Sequence, residues 1–85
     1  MAEARLQFFG RLAEFSALVG SSWAIDPLGS TLEDLLSELS SVDPRLAEQI
    51  ASPQFRVAVN DQIVSLTYLV QPNDRVALLP AVTGG

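Results

Sequence analysis

The residues of this sequence best placed to do chemistry are its last two, Gly84 and Gly85, which follow Pro80-Ala81-Val82-Thr83. Glycine has no Cβ, so a Gly-Gly end adopts nearly any φ/ψ and passes through a channel that excludes side chains. The stretch from Pro80 to Gly85 reaches up to roughly 20 Å when extended, at about 3.3–3.6 Å per residue. That length is enough to carry a terminal carboxylate into a pocket on another protein. Pro80 fixes its own φ and disfavours a helical conformation at Leu79, which aims the tail outward. The carboxylate of Gly85 is ionised at neutral pH, with an ordinary pKa of roughly 3.3–3.7. By itself it is a poor acyl donor. Joined by a partner to the α-phosphate of ATP it becomes a reactive mixed anhydride, and a sulfur nucleophile then leaves a thiocarboxylate on Gly85. A frayed, inert terminus is the other use of such residues.

The side-chain inventory supports a role that needs no catalytic side chain. The 85 residues contain no histidine, no cysteine and no lysine. Without histidine, no unperturbed side chain titrates near neutral pH. Without cysteine or lysine, the commonest activated nucleophiles are missing, and so are disulfides and thiolate metal sites. All five cations are arginines: Arg5, Arg11, Arg45, Arg56 and Arg75. The net charge of −5 repels nucleic acid and anionic lipid. It suits a basic protein partner, or merely keeps the protein soluble. No apolar run reaches the roughly 18 residues of a membrane span. The N-terminus also lacks a signal-peptide core, so a cytoplasmic protein is the simplest expectation.

The elements that must position the tail are legible in outline. A chain this short makes one domain, residues 1–85, with 80–85 as a flexible tail. "ARLQFF" (Ala4–Phe9) reads as a strand broken by Gly10, with Phe8 and Phe9 assigned to the core. Leu12, Phe15 and Val19 fall at helical spacing before Gly20. "SWAID" (Ser22–Asp26) is a short second strand. Ser30 with Glu33 three residues later makes a capping-box pattern, and Leu32, Leu35, Leu36 and Leu39 form one apolar helical stripe. Asp43 and Pro44 open a shorter helix that presents Leu46 and Ile50 inward. Phe55, Val57 and Val59 alternate along a strand, Asn60–Gln62 turn, and Ile63-Val64 return. After a turn at Gln71–Asp74, "RVALLP" suits a central strand buried on both faces. The order is strand, short helix, strand, long helix, short helix, then two or three strands, folded as one sheet with its main helix across one face.

The ending "DRVALLPAVTGG", with "VAVNDQIV" upstream and "LQFFGRLAEFSALVG" at the start, closely resembles the small subunit of molybdopterin synthase, the MoaD-like sulfur-carrier family. The resemblance spans nearly the whole chain and is weakest over residues 40–54. It implies a ubiquitin-like β-grasp fold of the α+β class. It implies two partners: an ATP-dependent adenylating, E1-like enzyme that delivers sulfur, and the large catalytic synthase subunit, in a heterotetramer with this chain at its ends. The chain itself is then a non-catalytic sulfur donor that binds no cofactor and no metal. Its functional modification is 1-thioglycine at Gly85, which supplies sulfur for the molybdopterin dithiolene. Carried over by position, Gly84 gives clearance, Val82 and Thr83 line up with the threaded tail beside Pro80 and Ala81, and Leu79 and Ile63 line up with apolar docking residues. For Leu79 and Ile63 the alternative is ordinary core. The chain departs from the family in Leu78-Leu79, where an aromatic pair is common, and in Pro80-Ala81, where Pro-Pro is common. These changes bear on docking and leave the chemistry of Gly85 untouched.

Carriers for the thiazole of thiamine share the fold, the adenylation and the Gly-Gly end. They usually run from the first strand straight into a hairpin, whereas Arg11–Val19 here reads as an intervening helix. Carriers for other metabolites, a protein modifier joined through Gly85 to target lysines, and a β-grasp binding module with an inert tail are the remaining alternatives.

Overall fold

The computed structural model describes residues 2–80. Five strands make the main sheet: β1 (Glu3–Phe8), β2 (Ser22–Ala24), β4 (Arg56–Val59), β5 (Gln62–Ile63) and β7 (Arg75–Leu79), in the order β2-β1-β7-β4-β5. β1 and β7 run parallel at its centre, with Leu6 beside Val76 and Phe8 beside Leu78. The other neighbours are antiparallel. A second, two-stranded sheet pairs β3 (Ser30–Thr31) with β6 (Leu69–Val70). Three helices, α1 (Ser16–Val19), α2 (Leu32–Ser40) and α3 (Pro44–Ile50), follow the order expected. The architecture is the mixed-sheet α+β arrangement with the main helix across one face.

One face of the sheet and one stripe of α2 make the core. Leu32, Leu35, Leu36 and Leu39 of α2 are all buried, against Leu6, Val57, Val59, Val76 and Leu78 of the strands. Trp23 closes the β2 side, and its indole Nε1 donates to the Glu38 carboxylate on α2. α2 begins one residue later than the capping-box pattern places it. The Ser30 hydroxyl accepts from the Asp26 N–H at 3.1 Å inside the preceding loop, and Ser30 itself pairs with Val70. Thr31 is therefore the N-cap, its Oγ1 accepting from the Asp34 N–H at 3.3 Å. The first two helical N–H groups, of Leu32 and Glu33, donate to the carbonyls of Tyr68 and Leu66 at 3.1 Å each. A helix start has four such donors without intrahelical partners. The chain from Leu66 to Val70 supplies two of the acceptors, which is why β6 lies where it does.

The segment read as one helix over 11–19 is a 3-10 turn, Gly10–Phe15, followed by a single α-helical turn. A three-residue period stacks Leu12 above Phe15, and both are buried. α3 starts as the sequence indicates, with Pro44 at its head and Asp43 Oδ1 accepting from the Arg45 N–H at 2.7 Å. The Arg45 guanidinium also reaches the Asp43 carboxylate at 3.2 Å and Glu14 at 3.4 Å, and lies 5.4 Å from the centre of the Phe15 ring. This group ties α3 to the 3-10 turn. Four strands follow α3 instead of two or three, because Leu69–Val70 pairs with Ser30–Thr31 as β6 ahead of the expected β7. β7 is central, but it is not fully buried on both faces. Val76 and Leu78 are inaccessible, whereas Ala77 and Leu79 are half-buried, because the helices cover one side of the sheet only.

Two outcomes test this account. Leu35→Ala removes a fully buried side chain from the stripe. Urea unfolding should show a loss of about 2–5 kcal/mol. At Asp43 the side-chain hydrogen bond with Arg45, then its backbone N–H, holds the carboxyl below its ordinary value of 3.8. A folded-state pKa lowered in this way contributes stability above the unfolded pKa and loses it as pH falls through the lowered value. Asn caps a helix nearly as well without charge. The advantage of the wild type over Asp43→Asn should therefore be largest near neutral pH and vanish in acid below the ordinary carboxylate range, as read from urea midpoints across pH.

Candidate functional site

Directly paired residues on neighbouring strands share a face, so the register shows what the uncovered side of the sheet carries. Gln7 of β1 pairs with Ala77 of β7, Ala77 with Ala58 of β4, and Ala58 with Ile63 of β5. This row crosses three inter-strand gaps, about 14 Å. Two alanines form a low floor at its middle. In the next row Leu79 pairs with Arg56. On the other side of the floor Arg5 pairs with Arg75. Leu78 and Leu79 point to opposite faces, as alternation requires. Leu78 enters the core and Leu79 stands on the open side, half-buried.

Phe9 joins this face. It follows β1 in extended conformation, φ −104° and ψ 156°, and its N–H donates to the Leu78 carbonyl at 3.2 Å. Extended backbone turns it away from the core-facing Phe8 and beside Leu79, and its side chain is 46% exposed. Its assignment to the core is corrected: only Phe8 packs partly against the core cluster. Ile63 is 58% exposed, so it too belongs to the surface. Sequence reasoning missed Phe9 because two adjacent phenylalanines cannot both face inward from one strand, and nothing local says which one does.

The root of the tail is held by a close approach. Gly10 has φ +55°, in the left-handed region, and a Cβ there would lie 3.0 Å from Cγ of Pro80. Gly10 thus does more than end β1: it leaves room for the residue from which the tail departs. Pro80 is half-buried beside it. Ala81, Val82, Thr83, Gly84 and Gly85, the remaining candidate residues, lie outside the described residues.

A polar clamp aligns the far side of the floor. Asn60 and Asp61, with φ of 51° and 71°, form the two-residue turn between β4 and β5. Positive φ at both positions is the type I′ geometry that matches strand twist. The Asn60 backbone N–H donates to the Arg75 carbonyl at 2.8 Å, its side-chain oxygen accepts from the Arg75 N–H at 3.0 Å, and its amide donates to Asp74 at 2.9 Å. These bonds bind the hairpin that carries Ile63 to the start of β7. Arg75 reaches Asp61 at 3.0 Å in an exposed pair. The Arg56 guanidinium donates to the carbonyls of Pro53 and Phe55 at 2.8 and 2.9 Å. The acidic balance of the whole chain, which by itself suits a basic partner, is not the balance of this face.

Among the described residues, no group of three or more acidic residues could hold a metal ion, and no helix is long and apolar enough to cross a membrane. A concavity of about 680 Å³ lies between α2, α3 and β4, lined by Leu36, Ile50, Phe55 and Val64 among others. Arg56 borders it as well, whereas Gln7, Ala58, Ala77, Leu79 and Ile63 of the open face do not line it. The site is therefore a surface and a chain end, which can dock and present but cannot enclose a substrate.

The model of the ThiS family matches residues 6–85. The solution structure of the HVO 2177 protein of Haloferax volcanii is similar at 25% identity, with a TM-score of 0.77 over 99% of this chain and 87% of that one. SAMP1 of the same organism superposes with a TM-score of 0.73 at 22% identity, over 98% of this chain and 99% of that one. A Pyrococcus furiosus protein designated a molybdopterin converting factor, subunit 1, gives a TM-score of 0.69 at 23% identity, over 96% of this chain and all of that one. At those identities the last two establish a shared fold.

Two substitutions separate docking from seating of the tail. Phe9→Ser removes an exposed ring and should shift the urea midpoint little, within about 0.5 kcal/mol. Gly10→Val places a branched side chain at positive φ against Pro80, and should cost on the order of 1–3 kcal/mol. Equal losses for the two variants would contradict the placement of Phe9.

Proposed function

Because this chain belongs to the ThiS family of ubiquitin-like sulfur carriers, we propose that it is the sulfur-carrying small subunit of a molybdopterin synthase. The observation that carries this reading is that the family match runs through Gly84 and Gly85, while the apolar open face lies beside the residue from which that tail departs. A carrier needs these two features and no others: a group to be loaded, and a surface by which the loading and receiving proteins hold it.

The chemistry proceeds at one atom group. A carboxylate oxygen of Gly85 attacks the α-phosphorus of ATP on the adenylating enzyme, and pyrophosphate leaves. A sulfur nucleophile then attacks the acyl carbon and AMP leaves, so that Gly85 becomes 1-thioglycine. In the large subunit the thiocarboxylate sulfur attacks a carbon of the cyclic pyranopterin precursor and displaces an oxygen substituent. Water then cleaves the acyl C–S bond and restores the Gly85 carboxylate, and two such deliveries complete the dithiolene. Gly84 lets the backbone pass a narrow channel, and Pro80, Ala81, Val82 and Thr83 span the distance from the body. Leu79, Ile63 and Phe9 dock. The large subunit dimerises in this family, which makes the complex a heterotetramer. The 3-10 turn and α1 between β1 and β2 favour this branch over thiazole carriers, which go directly into a hairpin.

Incubation with ATP, the adenylating enzyme and a sulfur donor should raise the intact mass by one sulfur-for-oxygen exchange, located at Gly85 by fragmentation. An unchanged mass under conditions that load a known carrier would refute the reading. A pull-down from native extract then identifies the branch. A large synthase subunit supports the proposal, whereas a thiazole synthase or a ladder of lysine conjugates replaces it.

A further inference from the structure

Three of the five arginines, Arg5, Arg56 and Arg75, stand on the open face of the sheet, by the same register that places Leu79 and Ile63 there. Among the strand residues sharing this face the carboxylate is Glu3, at the outer end of β1 opposite Ala24. Six of the ten carboxylates belong instead to the helical layer and its cap: Glu14, Glu33, Asp34, Glu38, Asp43 and Glu48. The helical layer is acidic, whereas the strand residues around the apolar patch carry three arginines and Glu3, with Asp61 and Asp74 in the turns beside Arg75.

Arg5 and Arg75 are direct partners across β1 and β7. Like charges opposite one another on neighbouring strands destabilise a sheet. Asp61 partly offsets Arg75 through an exposed ion pair, and such pairs contribute little. Among the described residues no side-chain ion pair engages Arg5. The free chain thus holds two arginines at directly paired positions at the border of the patch, and a third, Arg56, held by two backbone carbonyls.

We propose that the protein docking on this face is apolar at its centre and carries carboxylates around it, opposite Arg5, Arg75 and Arg56, although the chain itself is acidic. This rests on the sulfur-carrier reading in taking the adenylating enzyme as the docking partner. A second copy fits poorly, because face-to-face pairing sets arginines against arginines. A polyphosphate fits poorly as well, since it would meet a chain of net charge −5 and a face whose middle is apolar. Rim charges act mainly on association rate and are screened by salt over about 10 Å at 0.1 M.

The test is stopped-flow association of the full chain with the adenylating enzyme, at about 25 mM and about 0.5 M salt. Arg5→Glu and Arg75→Glu should each slow association roughly tenfold at low salt, with the difference collapsing at high salt. Arg11→Glu makes the same charge change on the helical side and should stay within about twofold of wild type. Arg5→Glu also turns a like-charge pair into an opposite one, so its thermal midpoint should not fall. Slowing by Arg11→Glu as large as that by Arg5→Glu, or slowing that ignores salt, overturns the inference. If wild type gains sulfur at Gly85 while the arginine variants associate normally, the inference falls and the carrier reading stands. If wild type neither binds nor gains sulfur, both fall.

Discussion

The parallel pairing of β1 with β7 is the contact on which the rest of the molecule depends. It joins the beginning of the chain to its end, so it forms only when everything between them closes the loop. It sets Leu6 beside Val76 and Phe8 beside Leu78 on the covered side, and Gln7 beside Ala77 on the open side. It also brings Gly10 against Pro80, which decides where the tail leaves the body. A shift of one residue in this register would exchange the two faces. The core and the candidate docking surface would be lost together.

One strand therefore serves two purposes. Val76 and Leu78 hold the helical layer, and Ala77 and Leu79, on the same few residues of backbone, face outward. The helices are too few to cover both sides of the sheet, and that shortage leaves an apolar surface in place of a second core. A small domain buries a limited share of its surface in any case. Here part of the unburied share, Phe9, Ile63 and Leu79, lies on the open face of the sheet.

Charge is distributed in keeping with that division. The carboxylates on α2 suit its first turn, where Glu33 and Asp34 meet the positive end of the helix, and Asp43 caps α3. These placements serve helix stability and make the outer layer acidic. The strands carry Arg5, Arg56 and Arg75 at positions that share the open face. A net charge read from composition sums an acidic helical layer and an open face on which arginines and carboxylates mix, and describes neither.

Much was determined by the sequence alone. Leucines at helical spacing placed α2, Asp43-Pro44 placed the start of α3, and alternation at Phe55, Val57 and Val59 placed β4, because each signal lies within a few residues. The absence of histidine, cysteine and lysine directed attention to Gly84 and Gly85, and the opposite facing of Leu78 and Leu79 followed from period-two geometry. Only the tertiary structure decided which of Phe8 and Phe9 faces out, why Gly10 is glycine, that Thr31 and not Ser30 caps α2, and that Arg5, Arg56 and Arg75 share one face. Each of these depends on a neighbour far away in the chain: Leu78, Pro80, Val70 or Arg75. Local pattern reports that a strand has two unlike faces. Which strand lies beside it, and so which residues meet, is fixed by burial of the whole core at once.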